Sequence, residues 1–235
     1  IEAILKSIEI NPDNYIAHFN LSGIYRDLGN FEKALASTLK SLELKPDNPD
    51  AYLNLGNLYK EDGNLDKALG STLKALELKS DNPVAYMNLG SIYKDLGNID
   101  KALASTLRSL EINCENPDAY MNLGGIYKDL GELDKALAST LKALELTPNN
   151  LKALINLGLI YDKKADHKNQ KEAFSRAHAI EPTSLNLYLM AAMTFQRIHN
   201  SESEIDQERQ RFIEATRYIQ QHPNLTYRED LPLNL

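Results

Sequence analysis

A fixed interval of 34 residues governs most of this chain. Glycines, tyrosines and alanines recur at that interval, which is the mark of a repeat protein whose units pack on their neighbours and need no single globular core. The recurring residues are Gly56, Gly90, Gly124 and Gly158; Tyr25, Tyr59, Tyr93, Tyr127 and Tyr161; Ala34, Ala68, Ala102 and Ala136. The chain is therefore expected to be an array of one small structural unit.

Each unit has the pattern of two helices joined by a turn. Tyr52, Gly56 and Tyr59 fall on one face of a first helix, which is predicted to end at Gly63 because glycine adopts the left-handed conformation of a helix cap. A second, leucine-rich helix follows. Prolines separate the units, since proline cannot continue a helix interior. Gly56 and Ala68 are predicted to lie where the paired helices approach closely, because a larger side chain there would push them apart.

The unit resembles the tetratricopeptide repeat, whose pattern is an aromatic residue, Leu-Gly, Tyr, Ala, a second aromatic residue and a closing Pro. Tyr52, Leu55-Gly56, Tyr59 and Ala68 supply most of this pattern. The resemblance implies an all-α fold, a right-handed α-solenoid of tandem helix-turn-helix repeats. Threonine replaces the second aromatic residue in four units, at Thr38, Thr72, Thr106 and Thr140.

The register of the repeats predicts four segments. Residues 1–14 match only the second helix of a unit, so they are interpreted as part of a truncated repeat. Residues 15–184 hold five complete repeats. Residues 185–221 are predicted to form a divergent sixth helix pair that ends in a capping helix, as solenoids require at their ends. Residues 222–235 lack a helical pattern and are predicted to be a tail or linker.

One face of the first helix carries an asparagine in every repeat. This face points away from the second helix at about 100° per residue, and the resemblance implies that it lines the concave groove of the superhelix. The asparagines are Asn20, Asn54, Asn88, Asn122 and Asn156. An amide side chain offers two donors and one acceptor, so the column can bind the backbone of an extended peptide. The same amides can instead tie neighbouring first helices together, and both interpretations stay open.

Charged residues flank the asparagine column on the same helices. In four of the five first helices a basic residue is followed by an acidic one near the end of the helix, whereas the fifth has Asp162 before Lys163. Two of these helices also carry an aspartate near the beginning. The residues are Arg26, Lys60, Lys94 and Lys128; Asp27, Glu61, Asp95 and Asp129; Asp50 and Asp118. The stripes can select a partner of complementary charge, or they can form surface ion pairs worth about 0–1 kcal/mol each.

The asparagine column is also similar to the repeat region of O-linked N-acetylglucosamine transferases. In that family, inward asparagine and aspartate columns hold the acceptor peptide, and the resemblance implies the same role for the five asparagines, with Asp50 and Asp118 as further candidates. Chaperone-binding tetratricopeptide domains carry a lysine one residue before the asparagine. Apolar residues such as Phe19, Leu53 and Met87 stand there in this chain, which disfavours a chaperone tail as the partner.

Composition narrows the class of partner. The net charge of −7 disfavours nucleic acids and anionic membranes, because phosphate groups are bound by basic surfaces. The single cysteine, Cys114, allows no internal disulfide, so the cytoplasm is the expected compartment. The histidines, the cysteine and the carboxylates lack metal-ligand spacing, and no phosphate loop or nucleophile motif occurs. Neither an enzyme activity nor a metal or cofactor is predicted.

These observations favour a protein-protein interaction scaffold that binds an extended peptide or a helix of a partner protein in its concave groove. One alternative is the substrate-docking arm of a larger enzyme, such as a glycosyltransferase, at the N-terminal side of its catalytic domain. A further alternative is self-association, in which nearly identical repeats stack end to end between chains to give a homo-oligomer.

Overall fold

The computed structural model describes residues 1–192 and 202–227. Within these residues the chain forms helices joined by short turns, with one isolated β-bridge, so the predicted all-α fold of tandem helical hairpins is confirmed. The chain divides into two compact units, Ile1–Glu115 and Asn116–Leu235. None of the helices in the described residues is long and apolar enough to cross a membrane.

The first unit contains three helical hairpins that follow a single helix. Its helices are α1 (Glu2–Ile10), α2 (Tyr15–Asp27), α3 (Phe31–Leu44), α4 (Pro49–Glu61), α5 (Leu65–Leu78), α6 (Pro83–Asp95) and α7 (Ile99–Ile112). Each first helix packs on the second helix of its own hairpin, and α2 and α6 both contact α4. First helices of neighbouring repeats therefore lie side by side within this unit.

The second unit contains two hairpins and two further helices. Its helices are α8 (Pro117–Asp129), α9 (Leu133–Leu146), α10 (Leu151–Lys163), α11 (His167–Ile180), α12 (Leu185–Ala192) and α13 (Glu202–Gln221). Its core is centred on α10 and α11, where Phe174, Leu154 and Ile160 are almost fully buried. Residues 193–201 of the predicted sixth helix pair lie outside the described residues.

Asparagine side chains begin most of the helices. The Asn48 side-chain oxygen accepts a hydrogen bond from the backbone N–H of Asp50 (3.1 Å) at the start of α4. Pro49 follows at the first helical position, where no donor is needed. Asn64 caps α5 in the same way through the N–H of Lys67 (3.2 Å). These asparagines satisfy N–H groups that the first turn of each helix would otherwise leave unpaired.

Glycine ends the first helix of each complete hairpin from α2 to α8. Gly63 adopts a left-handed φ of 77°, a conformation that favours glycine because it has no Cβ atom. This turn lets the N–H of Asn64 bond to the carbonyl of Tyr59 (2.8 Å), so a carbonyl of the last helical turn is satisfied. The predicted helix end at Gly63 is confirmed, and α5 begins two residues later.

The paired helices touch at the glycine and alanine positions of the repeat. A Cβ atom on Gly56 would lie 3.3 Å from the carbonyl oxygen of Ala68 and 2.6 Å from Oγ1 of Thr72. Ala68 is fully buried, so the predicted close approach is confirmed. The Thr72 hydroxyl donates to the same carbonyl (2.8 Å). Threonine thus fills the space beside a glycine that an aromatic residue fills in the fifth repeat, where Phe174 packs against Gly158.

The last described residues fold back on the second unit. Thr226 pairs with the turn before α12, because its N–H donates to the carbonyl of Thr183 (2.8 Å) and its carbonyl accepts from Leu185 (2.9 Å). The rings of Tyr188 and Tyr218 stack with centroids 4.2 Å apart and join α12 to α13. Part of the predicted tail is therefore docked on α12, whereas residues 228–235 lie outside the described residues.

Candidate functional site

Asn54 is buried inside a polar network between the first two repeats. Its amide nitrogen donates to Ser22 Oγ (2.8 Å) and to Thr38 Oγ1 (3.2 Å). Its oxygen accepts from the Arg26 guanidinium (3.3 Å). Ser22 stands where the later repeats have glycine, and its hydroxyl lies 2.5 Å from that of Thr38. This geometry makes Asn54 a tie between neighbouring repeats, one of the two roles that the sequence left open.

Asn88 and Asn20 have different surroundings from Asn54 although they occupy the same repeat position. Asn88 is buried and donates to the amide oxygen of Asn57 on the preceding first helix (2.8 Å). Asn20 is exposed on α2. Within the first unit, the asparagine column therefore consists of two ties between helices and one side chain that faces solvent.

The second unit carries the remaining asparagines on α8 and α10. Asn156 is half-buried and donates to Thr140 Oγ1 (3.2 Å), and a Cβ atom on Gly124 would lie 3.3 Å from its amide nitrogen. Asn122 is half-buried on α8. Asp118 and Asp129 are exposed at the two ends of α8, and Lys128 is half-buried.

Part of the predicted charge pattern is satisfied between neighbouring repeats. The Lys60 ammonium on α4 donates to Ser91 Oγ (2.6 Å) and lies 3.2 Å from the Asp95 carboxylate on α6. Lys94 is half-buried on α6. Glu61, at the end of α4, is exposed and lines a small concavity together with Arg26. The acid and base stripes therefore include ion pairs within the protein, as the second interpretation of the charges expects.

A groove of about 560 Å³ opens between α2 and α4, and α1 contributes one residue to it. We call it the α2–α4 groove. The residues that line it are Ile4, Phe19, Asn20, Gly23, Ile24, Arg26, Asp27, Asp50, Leu53, Asn54 and Asn57. Five residues named from the sequence pattern come together here: Asn20, Arg26, Asp27, Asp50 and Asn54. The groove thus combines amides, charges of both signs and an apolar wall.

A second concavity of about 350 Å³ adjoins this groove. It is lined by Tyr15, Ile16, Lys45, Asn48 and Pro49, and it shares Phe19 and Asp50 with the α2–α4 groove. We call it the Lys45 cleft. The Lys45 ammonium lies over the Tyr15 ring, 4.8 Å from its centroid, where the cation is attracted to the aromatic face.

Sequence reasoning missed three residues of this region. Gly23 and Asn57 occupy the same repeat position on α2 and α4 and line the groove, and Ser22 anchors the network below it. The position that holds Gly23 and Asn57 varies from repeat to repeat, so periodicity alone gives it no weight. The substitution of serine for glycine at position 22 was the available signal.

Neither a metal-binding cluster nor a disulfide is present in the described residues. Among residues 1–192 and 202–227, no group of three or more histidines, cysteines or carboxylates is placed to hold a metal ion. Cys114 is exposed in the turn after α7 and forms no disulfide.

Family models of the tetratricopeptide repeat match the chain from residue 3 to residue 184. One model matches residues 24–63, 56–97 and 90–131. Three others match residues 117–150, 3–36 and 151–184. No match was found among curated proteins.

Solved structures of tetratricopeptide proteins resemble the chain. MamA is 27% identical, with 72% of this chain and 92% of MamA covered and a TM-score of 0.55. YrrB, described as a TPR protein with an unusual peptide-binding site, is 28% identical, with 77% and 93% covered and a TM-score of 0.54.

PilW, a type IV pilus biogenesis factor, is 18% identical, with 90% of this chain and 94% of PilW covered, and it shares the fold with a TM-score of 0.76. The helical hairpins recur in a 34-residue register, and family models match residues 3–184. The structural neighbours support the same assignment. The chain belongs to the tetratricopeptide repeat family.

Proposed function

We propose that this protein-interaction scaffold binds an extended segment of a partner polypeptide in the α2–α4 groove. The observation that carries the proposal is the convergence of Asn20, Asn57 and Arg26 from two repeats on one open concavity of about 560 Å³. That volume falls within the range of about 300–1,000 Å³ that is typical of ligand sites. Family membership supports the class of partner, because tetratricopeptide repeats bind proteins and peptides.

The chemistry of the groove suits the backbone of an extended segment. A peptide in extended conformation presents N–H and C=O groups that need partners when they leave water. Asn20 is exposed at the groove surface, and its amide can pair with one donor and one acceptor of such a backbone. Asn54 lies beneath it with its amide engaged by Ser22, Thr38 and Arg26, so it supports the floor.

The other predicted site residues support the groove or border the bound segment in this proposal. Asn88 supports Asn57 from the neighbouring repeat, and Lys60 with Asp95 ties α4 to α6. In the second unit, we propose that α8 and α10 present a second binding surface through Asn122, Asn156, Asp118, Lys128 and Asp129. Lys94 and Glu61 are proposed to border the bound segment in the first unit.

We also propose two alternatives that the sequence suggests. A docking arm of a glycosyltransferase would use the same groove, so it shares the binding step and adds delivery of the bound segment to a catalytic domain. Self-association between repeats would need a surface other than this groove. We also retain the cytoplasm as the proposed compartment, because the one cysteine is a free thiol.

Filling the groove tests the proposal without damaging the fold. A Cβ atom on Gly23 would meet nothing within 4 Å, so Gly23→Gln places a long side chain in open groove space. The matched control is Gly70→Gln on α5, another helical glycine with nothing within 4 Å and no place in the groove. Both changes should stabilise their helices by about 0.5–1 kcal/mol, because glycine is a poor helix former.

The measurement uses peptides selected from a random 12-residue display library on the full chain. We expect Gly23→Gln to weaken their binding at least about tenfold in fluorescence anisotropy, whereas Gly70→Gln leaves it unchanged. If the library yields no binders, or if both variants bind as the wild type does, the groove is not the binding site.

A further inference from the structure

We infer that the segment bound by the α2–α4 groove carries a lysine or arginine next to an apolar residue, with the cation at Asp50 and the apolar side chain at Phe19. This inference rests on the function proposed above and names the chemistry of the partner. It follows from the position of these two side chains, from the charges around them and from the exposed apolar surface beside them.

Phe19 and Asp50 stand between two concavities. Both residues line the α2–α4 groove, and both also line the adjoining Lys45 cleft. A segment that runs from the groove into the cleft must therefore pass both side chains. Successive side chains of an extended chain point to opposite sides. Two adjacent residues of the segment can therefore place one side chain at Phe19 and the other at Asp50.

The balance of charge in the groove favours a cation. Its lining contains one guanidinium, Arg26, and two carboxylates, Asp27 and Asp50. Arg26 is engaged by the Asn54 oxygen (3.3 Å) and lies 3.7 Å from the Asp27 carboxylate. Among the residues that the structure describes, no cation lies within ion-pair distance of Asp50. The negative charge of the groove therefore resides chiefly at Asp50.

The one cation of the cleft, Lys45, is not within ion-pair distance of Asp50. Its ammonium lies over the Tyr15 ring and is 3.4 Å from the Tyr15 hydroxyl. The whole protein is acidic, with a net charge of −7. An acidic segment would consequently be repelled, whereas a basic one would be attracted before contact and held in register after it.

Apolar surface lies on both sides of Asp50. Ile4 and Phe19, both half-buried, line the groove, and Ile16, which is 52% exposed, lines the cleft. An aliphatic or aromatic side chain next to the basic residue can bury this surface, and each Å² of apolar area removed from water contributes about 25 cal/mol. The site is thus built for a basic residue with an apolar neighbour.

The test begins with the residues that the display library enriches. Peptides selected on the full chain should contain lysine or arginine beside leucine, isoleucine, phenylalanine or methionine. One enriched peptide is then measured by fluorescence anisotropy at low salt. Asp50→Asn should weaken its binding about two- to fivefold, as expected for loss of one exposed ion pair. The matched control, Asp81→Asn in an exposed turn outside both concavities, should leave binding unchanged.

A charge exchange separates a direct contact from a general effect of net charge. Asp50→Lys should prefer the peptide in which the basic residue is replaced by glutamate, reversing the wild-type preference. Selected peptides without basic residues, or equal binding by Asp50→Asn, would overturn this inference while the proposed groove stands. Equal binding by Gly23→Gln, or a library without binders, would overturn the groove and the inference together.

Discussion

At the scale of single residues, the same repeat position serves two purposes in the first unit. Asn54 finds hydroxyl groups on Ser22 and Thr38 and is buried between the repeats. Asn20 is exposed at the surface of the α2–α4 groove. Substitution of the two asparagines is therefore expected to affect different properties of the protein.

Asn54→Ala should lower the free energy of unfolding by about 1–3 kcal/mol, because its removal leaves buried hydroxyl groups short of a partner. Asn20→Ala should change it by less than about 0.5 kcal/mol, as exposed substitutions usually do. Urea unfolding followed by circular dichroism measures both. Equal midpoints for the two variants would contradict the buried network.

The glycine at the helix contact is expected to tolerate no larger side chain. Gly56→Ala should cost about 1–3 kcal/mol, because its Cβ atom would press on Thr72 and on the Ala68 carbonyl. Gly23→Ala is the matched control in another first helix, where nothing lies within 4 Å, and it should be neutral or stabilising. Thermal melting of the two variants in parallel distinguishes contact from helix propensity; a stabilised Gly56→Ala would disprove the contact.

The sequence predicted where the helices end and touch better than it predicted which side chains form hydrogen bonds. The register of Gly56, Ala68 and Gly63 followed from spacing alone, because the geometry of a helical hairpin depends on where small and left-handed residues fall. The burial of Asn54 and Asn88 did not follow. The hydrogen-bond partners of each asparagine lie on the preceding repeat, where the residue types differ. Asn54 donates to the hydroxyl of Ser22. The equivalent residue for Asn88 is Gly56, which has no hydroxyl, and Asn88 donates to Asn57 instead.

At the scale of helices, α9 differs from its equivalents at the N-cap, the residue that precedes the helix. Asn64 and Asn98 cap α5 and α7 through backbone N–H groups, whereas Glu132 makes no such bond for α9. Glu132→Asn should therefore stabilise the protein by about 0.5–1 kcal/mol, because asparagine is among the best capping residues.

Urea unfolding tests this gain, and Asn98→Glu is the reciprocal control, which should lose a similar amount. Glu132 also pairs with Lys135, but an exposed pair within one helix contributes less than a cap. An unchanged or lowered midpoint for Glu132→Asn would mean that the ion pair outweighs the cap.

The contact between α11 and α12 is expected to weaken in acid. Burial lowers the pKa of His178 below its ordinary value of 6.5. Its ring meets Tyr188 edge-on at 5.6 Å, and among the described residues its Nδ1 atom has no hydrogen-bond partner. The folded state thus favours the neutral ring, so the contribution of His178 is complete above pH 6.5 and is lost as the pH falls through its lowered pKa.

Urea midpoints of the wild type measured from pH 7.5 down to pH 5 should therefore fall more steeply than those of His178→Phe, which cannot be protonated. Parallel pH profiles for the two proteins would contradict the assignment of this acid sensitivity to His178.

At the scale of the whole molecule, we expect the repeats to behave as modules. Asn48-Pro49, Asn82-Pro83 and Asn116-Pro117 form the same junction, so deletion of residues 83–116 rejoins Asn82 to Pro117 without loss of register. The shortened chain should fold with the same helicity per residue and a lower urea m-value, because less surface is exposed on unfolding.

Deletion of residues 83–98 is the out-of-register control, because it removes α6 and leaves α7 without its partner helix. Circular dichroism should show reduced helicity per residue for this control alone. Equal loss of helicity in both deletions would contradict the modular description.

The pairing of Thr226 with Thr183 has a consequence for the order of folding. Contacts within a hairpin, such as Ser22 with Thr38, join residues 16 apart, whereas Thr226 and Thr183 are 43 apart with α12 and α13 between them. The chain must close this longer loop at an entropic cost before the contact can form. The hairpins are therefore expected to assemble early from local contacts, while residues 222–227 dock in a late step and detach in an early step of unfolding.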